Sequence, residues 1–128
     1  MFLLDTCTLL WLASDQGQLS DPAREAIAAG AGRLFVSAIS AFEIGVKHNK
    51  GKLTLPSPPD IWFPKALKLH GLRRIAVTPR IALRATSLPP LHNDPMDRLI
   101  IATAQIRRLV LITPDAHISQ YPNVTCLW

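Results

Sequence analysis

His92-Asn93-Asp94-Pro95-Met96-Asp97-Arg98-Leu99-Ile100-Ile101-Ala102 leads on into Leu109-Val110-Leu111-Ile112-Thr113, and this stretch decides the fold. Pro95 after Asp94 marks a helix start, and the apolar spacing behind it predicts a long helix over Met96–Arg108. The run that follows is short, apolar and rich in β-branched residues, as a buried strand should be. A helix that feeds at once into a buried strand is the repeating step of a parallel α/β sheet.

The rest of the chain repeats the alternation. Phe2-Leu3-Leu4 reads as a first strand, and Thr8–Ala13 as a short helix that is apolar most of the way round. Ser20-Asp21-Pro22 opens a helix that stops at Gly30. Leu34-Phe35-Val36 is a second strand. The next helix carries Phe42, Ile44 and Val46 and ends in Lys47 and Lys50. A helix over Asp60–His70 follows, with Pro64 expected near its first turn. Ile75-Ala76-Val77 reads as a third strand, Pro79 opens a helix through Leu83, and Thr125–Trp128 as a last edge strand. The expected architecture is α/β, a central, mainly parallel sheet with helices on both faces. Residues 1–128 are expected to form a single domain, since 128 residues bury one core and no linker divides them.

Composition excludes several classes. A chain with 48% hydrophobic and 18% charged residues is neither disordered nor collagen-like. No run approaches the ~18 apolar residues of a membrane span, and no basic leader precedes an apolar segment. Two cysteines, Cys7 and Cys126, fit free thiols in a reducing cytosol better than a disulfide framework. The expected location is therefore cytoplasmic, with no membrane contact. Fourteen basic residues face nine acidic ones, a net charge of +5, which suits a polyanionic partner as well as plain solubility.

Four of the nine acids fall at one predicted edge of the sheet. Asp5 directly follows the first strand, and Asp115 lies just beyond the strand at Leu109–Thr113. Glu43 stands near the start of the helix leaving Leu34–Val36. The helix carrying Asp94 and Asp97 ends at the amino edge, so its start must reach back to the carboxyl edge. Ligands of parallel sheets bind there. Taken singly, each acid has a plainer role. Asp5, Asp94 and Asp115 could cap helices or turns, and Ser40-Ala41-Phe42-Glu43 fits a capping box. Taken together, clustered carboxylates repel one another and call for a cation. Oxygen donors without Cys/His spacing point to Mg²⁺ or Mn²⁺ rather than zinc. His48, His70, His92 and His117 share no metal-binding spacing, and His92, near Asp94, either touches substrate or is a structural residue of a helix-entry loop.

At these residues the chain resembles PIN-domain nucleases, and among them VapC-type toxin ribonucleases. The resemblance rests on Leu3-Leu4-Asp5-Thr6, Val36-Ser37-Ala38-Ile39-Ser40-Ala41-Phe42-Glu43-Ile44, the His92–Ala102 stretch and Leu111-Ile112-Thr113-Pro114-Asp115. His92–Arg98 is its most specific segment, similar to an H-x-D-P-F-D-R signature with Met96 in place of Phe. The resemblance implies a PIN-like fold and metal-dependent hydrolysis of RNA by Asp5, Glu43, Asp97 and Asp115, with Asp94 close by. Asp5 and Asp97 would be direct Mg²⁺ or Mn²⁺ ligands; Glu43 and Asp115 would bind a second ion or orient water, and Thr6 and Thr113 would hydrogen-bond the carboxylates. Arg98 would contact phosphate or pair with Asp94, and Lys47, Lys50 and Lys52 would meet the RNA backbone or simply solvate a helix end. Implied partners are an RNA substrate, a cognate antitoxin and a second copy in a homodimer, with Trp11, Trp62 and Phe63 as candidate contacts, although Trp11, on a helix apolar all round, fits a core role better. The alternative is a non-catalytic PIN-like binding module. A phosphate-transfer domain with Asp5 as nucleophile fits less well, because Cys7 stands where a second acid would be needed.

Overall fold

Phe2–Leu4 (β1) lies at the centre of a five-stranded sheet in the computed structural model, which describes all residues from Met1 to Trp128. Leu34–Ser37 (β2) pairs with β1 on one side and Val110–Ile112 (β4) on the other, each in parallel register through Leu3. Leu72–Ile75 (β3) extends the sheet beyond β2, and Thr125–Leu127 (β5) beyond β4, giving the order β3-β2-β1-β4-β5 with every pair parallel. Six α-helices connect the strands: Thr6–Ser14 (α1), Asp21–Ala29 (α2), Ala38–Asn49 (α3), Pro59–His70 (α4), Pro79–Thr86 (α5) and Pro95–Arg107 (α6). No helix is long and apolar enough to cross a membrane.

The alternation of side chains along each strand divides the core in two. Leu3, Phe35 and Leu111 face α5 and α6, where Ile81, Ala85, Ile100 and Ile101 fill the layer. Leu4, Val36 and Ile112 face the opposite way, against Leu9 and Leu12 of α1, Ile44 of α3 and Trp62 of α4. A strand covered on both faces needs an unbroken apolar run, which is why β1 and β4 are easy to recognise in the sequence.

Departures from the sequence reading have local causes. The third strand is Leu72–Ile75, not Ile75–Val77. Gly71, at φ 64°, takes the left-handed turn that ends α4 and delivers the chain straight into the sheet. As an edge strand, β3 leaves Arg73 and Arg74 exposed, so no apolar run marks it. Helix α1 begins at Thr6 because Asp5 caps it, with Oδ1 accepting the Thr8 N–H at 2.9 Å. Helix α3 is capped by Ser37, one turn earlier than the expected Ser40 box. Pro64 sits in the second turn of α4, past its expected first-turn position. Trp62 and Phe63 are core residues rather than surface contacts, and Trp11 is half-buried with its ring 5.7 Å from that of Trp128. The exposed large apolar side chains are others, including Phe42, Leu69 and Leu83.

The layering gives a direct test. Ile101→Ala removes a fully buried side chain between α6 and the sheet and should cost about 2–5 kcal/mol. Leu83→Ala, on the solvent face of α5, should stay within about 0.5 kcal/mol. Urea unfolding of both variants checks the contrast.

Candidate active site

The carboxyl edge of a parallel sheet collects whatever follows its strands, and here it collects acids. Asp5, Thr6, Cys7, Glu43, Lys47, Asp94, Asp97, Pro114 and Asp115 line one cavity of about 250 Å³. The four acids expected at this edge are thus brought together, along with Asp94. Five carboxylates share the cavity with a single ammonium.

Asp5 is the most buried of the five, with 6% of its surface exposed. Its two oxygens are held separately: Oδ1 by the Thr8 N–H at 2.9 Å, Oδ2 by the Thr113 hydroxyl at 2.6 Å. It is therefore both a helix cap and a member of the cluster. Burial still raises its pKa above the ordinary 3.8, against the hydrogen bonds from Thr113 and Thr8. Thr6, by contrast, donates to Ser40 Oγ at 2.9 Å and holds no carboxylate. That bond joins the first turn of α1 to α3, the helix that carries Glu43.

Glu43 Oε2 pairs with Lys47 Nζ at 3.0 Å, one turn along α3. Its Oε1 is buried without a hydrogen-bond partner. Lys47 therefore stands on the cavity wall, whereas Lys50 and Lys52 are exposed and outside the lining. Asp94 caps α6, its Oδ1 accepting the Met96 N–H at 2.9 Å. Asp97, one turn into α6, has its pKa raised from 3.8 to about 7 by burial and by the charges of Asp94 and Glu43. Asp115 is affected oppositely. Burial alone would raise its pKa, but hydrogen bonds from His117 and the neighbouring His92 bring it below the ordinary value.

Besides Thr6, two residues take roles other than those expected. His92 is part of the cluster: its Nε2 lies 2.9 Å from Asp97 Oδ2 and 3.4 Å from Asp115 Oδ2. Ligand atoms of His92, Asp97 and Asp115 all lie within 4.8 Å of one another. The available signals were its place two residues before Asp94 and its position at the head of the H-x-D-P-F-D-R-like segment. Arg98 does not line the acidic cavity and makes no ion pair with Asp94. Its guanidinium donates to the carbonyls of Ala85, Leu88, Pro89 and His92 and to the Tyr121 hydroxyl, at 2.8–3.4 Å. An arginine spent on backbone carbonyls is a fastener for the α5–α6 loop.

An all-parallel α/β sheet with acids converging on its carboxyl edge defines the class, and the PIN domain family pattern matches residues 2–124. The chain belongs to that family. It is 33% identical to Ribonuclease VapC22 of Mycobacterium tuberculosis, with 98% of this chain aligned to 97% of that protein. Among solved structures, it resembles DNA-bound VapBC from Salmonella typhimurium at a TM-score of 0.72 and 18% identity, covering 98% of this chain and 96% of that one. VapBC2 from Rickettsia felis, bound to a fragment of its promoter DNA, aligns at a TM-score of 0.72 and 15% identity over 99% and 98% of the two chains. At those identities the structural likeness speaks for the fold.

The charge of Asp97 gives a stability test. Its folded pKa lies above its unfolded value, so its favourable contribution is complete below about 3.8 and lost as pH rises through about 7. In metal-free buffer, Asp97→Asn should therefore raise the melting temperature by roughly 2–4 °C at pH 8 and by less at pH 5. Melting curves at the two pH values check both the sign and its pH dependence.

Proposed function

We propose that this protein is the toxin ribonuclease of a type II toxin–antitoxin pair, hydrolysing RNA phosphodiester bonds with Mg²⁺ or Mn²⁺ at the acidic cavity. The observation that carries the reading is the crowding of Asp5, Glu43, Asp94, Asp97 and Asp115 around one cavity with Lys47 as the only base. The near-complete alignment with a protein named as a ribonuclease supports the chemistry. The residues fit a hard divalent cation on their own evidence. The donors are carboxylate oxygens, Glu43 Oε1 lacks a partner, and burial together with the charges of Asp94 and Glu43 pushes Asp97 to about 7.

Asp5 and Asp97 would hold the ion directly, with Glu43 and Asp115 completing the set or binding a second one. When bound, the cation lowers the pKa of water and neutralises charge developing on the phosphate. The chain's own groups do the rest. Thr8 and Thr113 fix the Asp5 carboxylate at the end of β1, so its orientation is set before substrate arrives. Glu43 Oε1 can accept a hydrogen from the attacking water. Lys47, held beside Glu43, brings a positive charge to the mouth of the cavity. All four expected acids are present, so a non-catalytic binding module gains no support from a missing one.

Residues 1–128 would act as one nuclease domain in the cytoplasm, as a homodimer, with a cognate antitoxin that blocks the cavity. A toxin–antitoxin complex from Klebsiella pneumoniae among the structural neighbours supports such a partner. The test is cleavage of a mixed RNA pool. EDTA should abolish it, and Mg²⁺ or Mn²⁺ should restore it. Asp5→Asn and Asp97→Asn should each lose at least about a hundredfold, the several kcal/mol that metal-held charge contributes. Asp60→Asn, at the exposed start of α4, should cleave like wild type. Undiminished cleavage in EDTA would remove the cation from the reading.

A further inference from the structure

We infer that His92 is a positioning residue that ties Asp97 to Asp115 through its Nε2 hydrogen, and that it is not itself a ligand of the cation. This inference rests on the proposed reading of the cavity as a cation site.

Geometry alone leaves two choices, because His92, Asp97 and Asp115 are close enough to form a mixed nitrogen–oxygen ligand set. The other ring nitrogen separates them. The backbone N–H of Asp94 donates to His92 Nδ1 at 3.2 Å, so that nitrogen presents its lone pair. A neutral imidazole with an accepting Nδ1 carries its proton on Nε2. Nε2 then has no lone pair to offer a metal. It has an N–H instead, and the nitrogen lies 2.9 Å from Asp97 Oδ2 and 3.4 Å from Asp115 Oδ2.

The surroundings hold the ring in that attitude. The His92 carbonyl accepts from Arg98 Nη1 at 3.3 Å and from the Tyr121 hydroxyl at 3.5 Å, fixing the backbone beneath the ring. Asp115 is bound from the other side, its Oδ1 accepting the His117 N–H at 2.8 Å. Asp97 comes from α6 and Asp115 from the loop after β4, and no other side chain bridges these two carboxylates. A donor between them offsets part of their repulsion and restrains the oxygen of each that lies beside it. Groups that orient metal-binding carboxylates in this way typically change metal affinity 10–100-fold when removed.

Mn²⁺ binding to the intact protein without RNA, followed by electron paramagnetic resonance, tests the inference. His92→Leu should weaken Mn²⁺ binding about 10–100-fold. His92→Gln, whose amide can place an N–H near the Nε2 position, should recover most of it. Spin-echo spectra of Mn²⁺ on the wild type should lack coupling to a directly bound imidazole nitrogen, a readout that needs no variant to fold. Such a coupling would make His92 a ligand and overturn the inference. Equal or tighter binding by His92→Leu would overturn it too, leaving the ring as a plug that the ion displaces. Failure of the wild type to bind Mn²⁺ at all would overturn the cation site along with it, whereas a failure confined to the His92 variants leaves that site standing.

Discussion

Asp5 leaves the central strand with one oxygen bound to the Thr8 N–H and the other to the Thr113 hydroxyl, in a position almost closed to solvent. Burying a carboxylate is costly unless its oxygens are hydrogen-bonded, and charge-assisted bonds of this kind are the strong ones. The arrangement needs β1 beside β4, because Thr113 follows β4. It also needs α1 to start at once, because the Thr8 N–H is an end group of that helix. Thr8 adds a second tie, its hydroxyl donating to the Ile112 carbonyl at 3.0 Å. One carboxylate thus links a strand, its neighbour and the following helix at a single point.

The other acids are brought to that point by different elements. Glu43 arrives on α3, whose position against α1 is secured where Thr6 meets Ser40. Asp94 and Asp97 arrive at the start of α6, and Asp115 on the turn after β4. Side chains on four separate segments cannot move apart to relieve their repulsion, because each segment is held by the packed layers on the two faces of the sheet. Burial and the nearby charges of Asp94 and Glu43 together raise the Asp97 pKa. The fold supplies the rigidity, and the charge left uncompensated in the cavity is its consequence.

Arg98 has the complementary role. It lies one residue from Asp97, where an arginine could answer the acids directly. Instead it reaches back across α6 to four carbonyls and a phenol, closing the irregular loop between α5 and α6. Loop carbonyls have no ladder to satisfy them, and a five-donor guanidinium meets that demand in one place. The loop it closes carries His92, so a side chain adjacent to Asp97 in sequence shapes the site through the backbone.

The sequence by itself determined the alternation of strands and helices, the parallel sheet and the edge at which Asp5, Glu43, Asp97 and Asp115 meet. These follow from apolar runs, proline and capping positions, and the direction of each strand, all of which are local patterns combined with one topological rule. The same signals failed where burial is one-sided or where a partner is distant in the chain. Leu72–Ile75 is an edge strand with two exposed arginines, and Trp62 and Phe63 look alike in sequence whether they face a core or a partner. His92 joining Asp97 to Asp115, Arg98 turning to the loop carbonyls and Thr6 choosing Ser40 were decided only by the tertiary structure. A hydrogen bond depends on where two groups stand to within a few tenths of an ångström, and residue order fixes that only after the layers have packed.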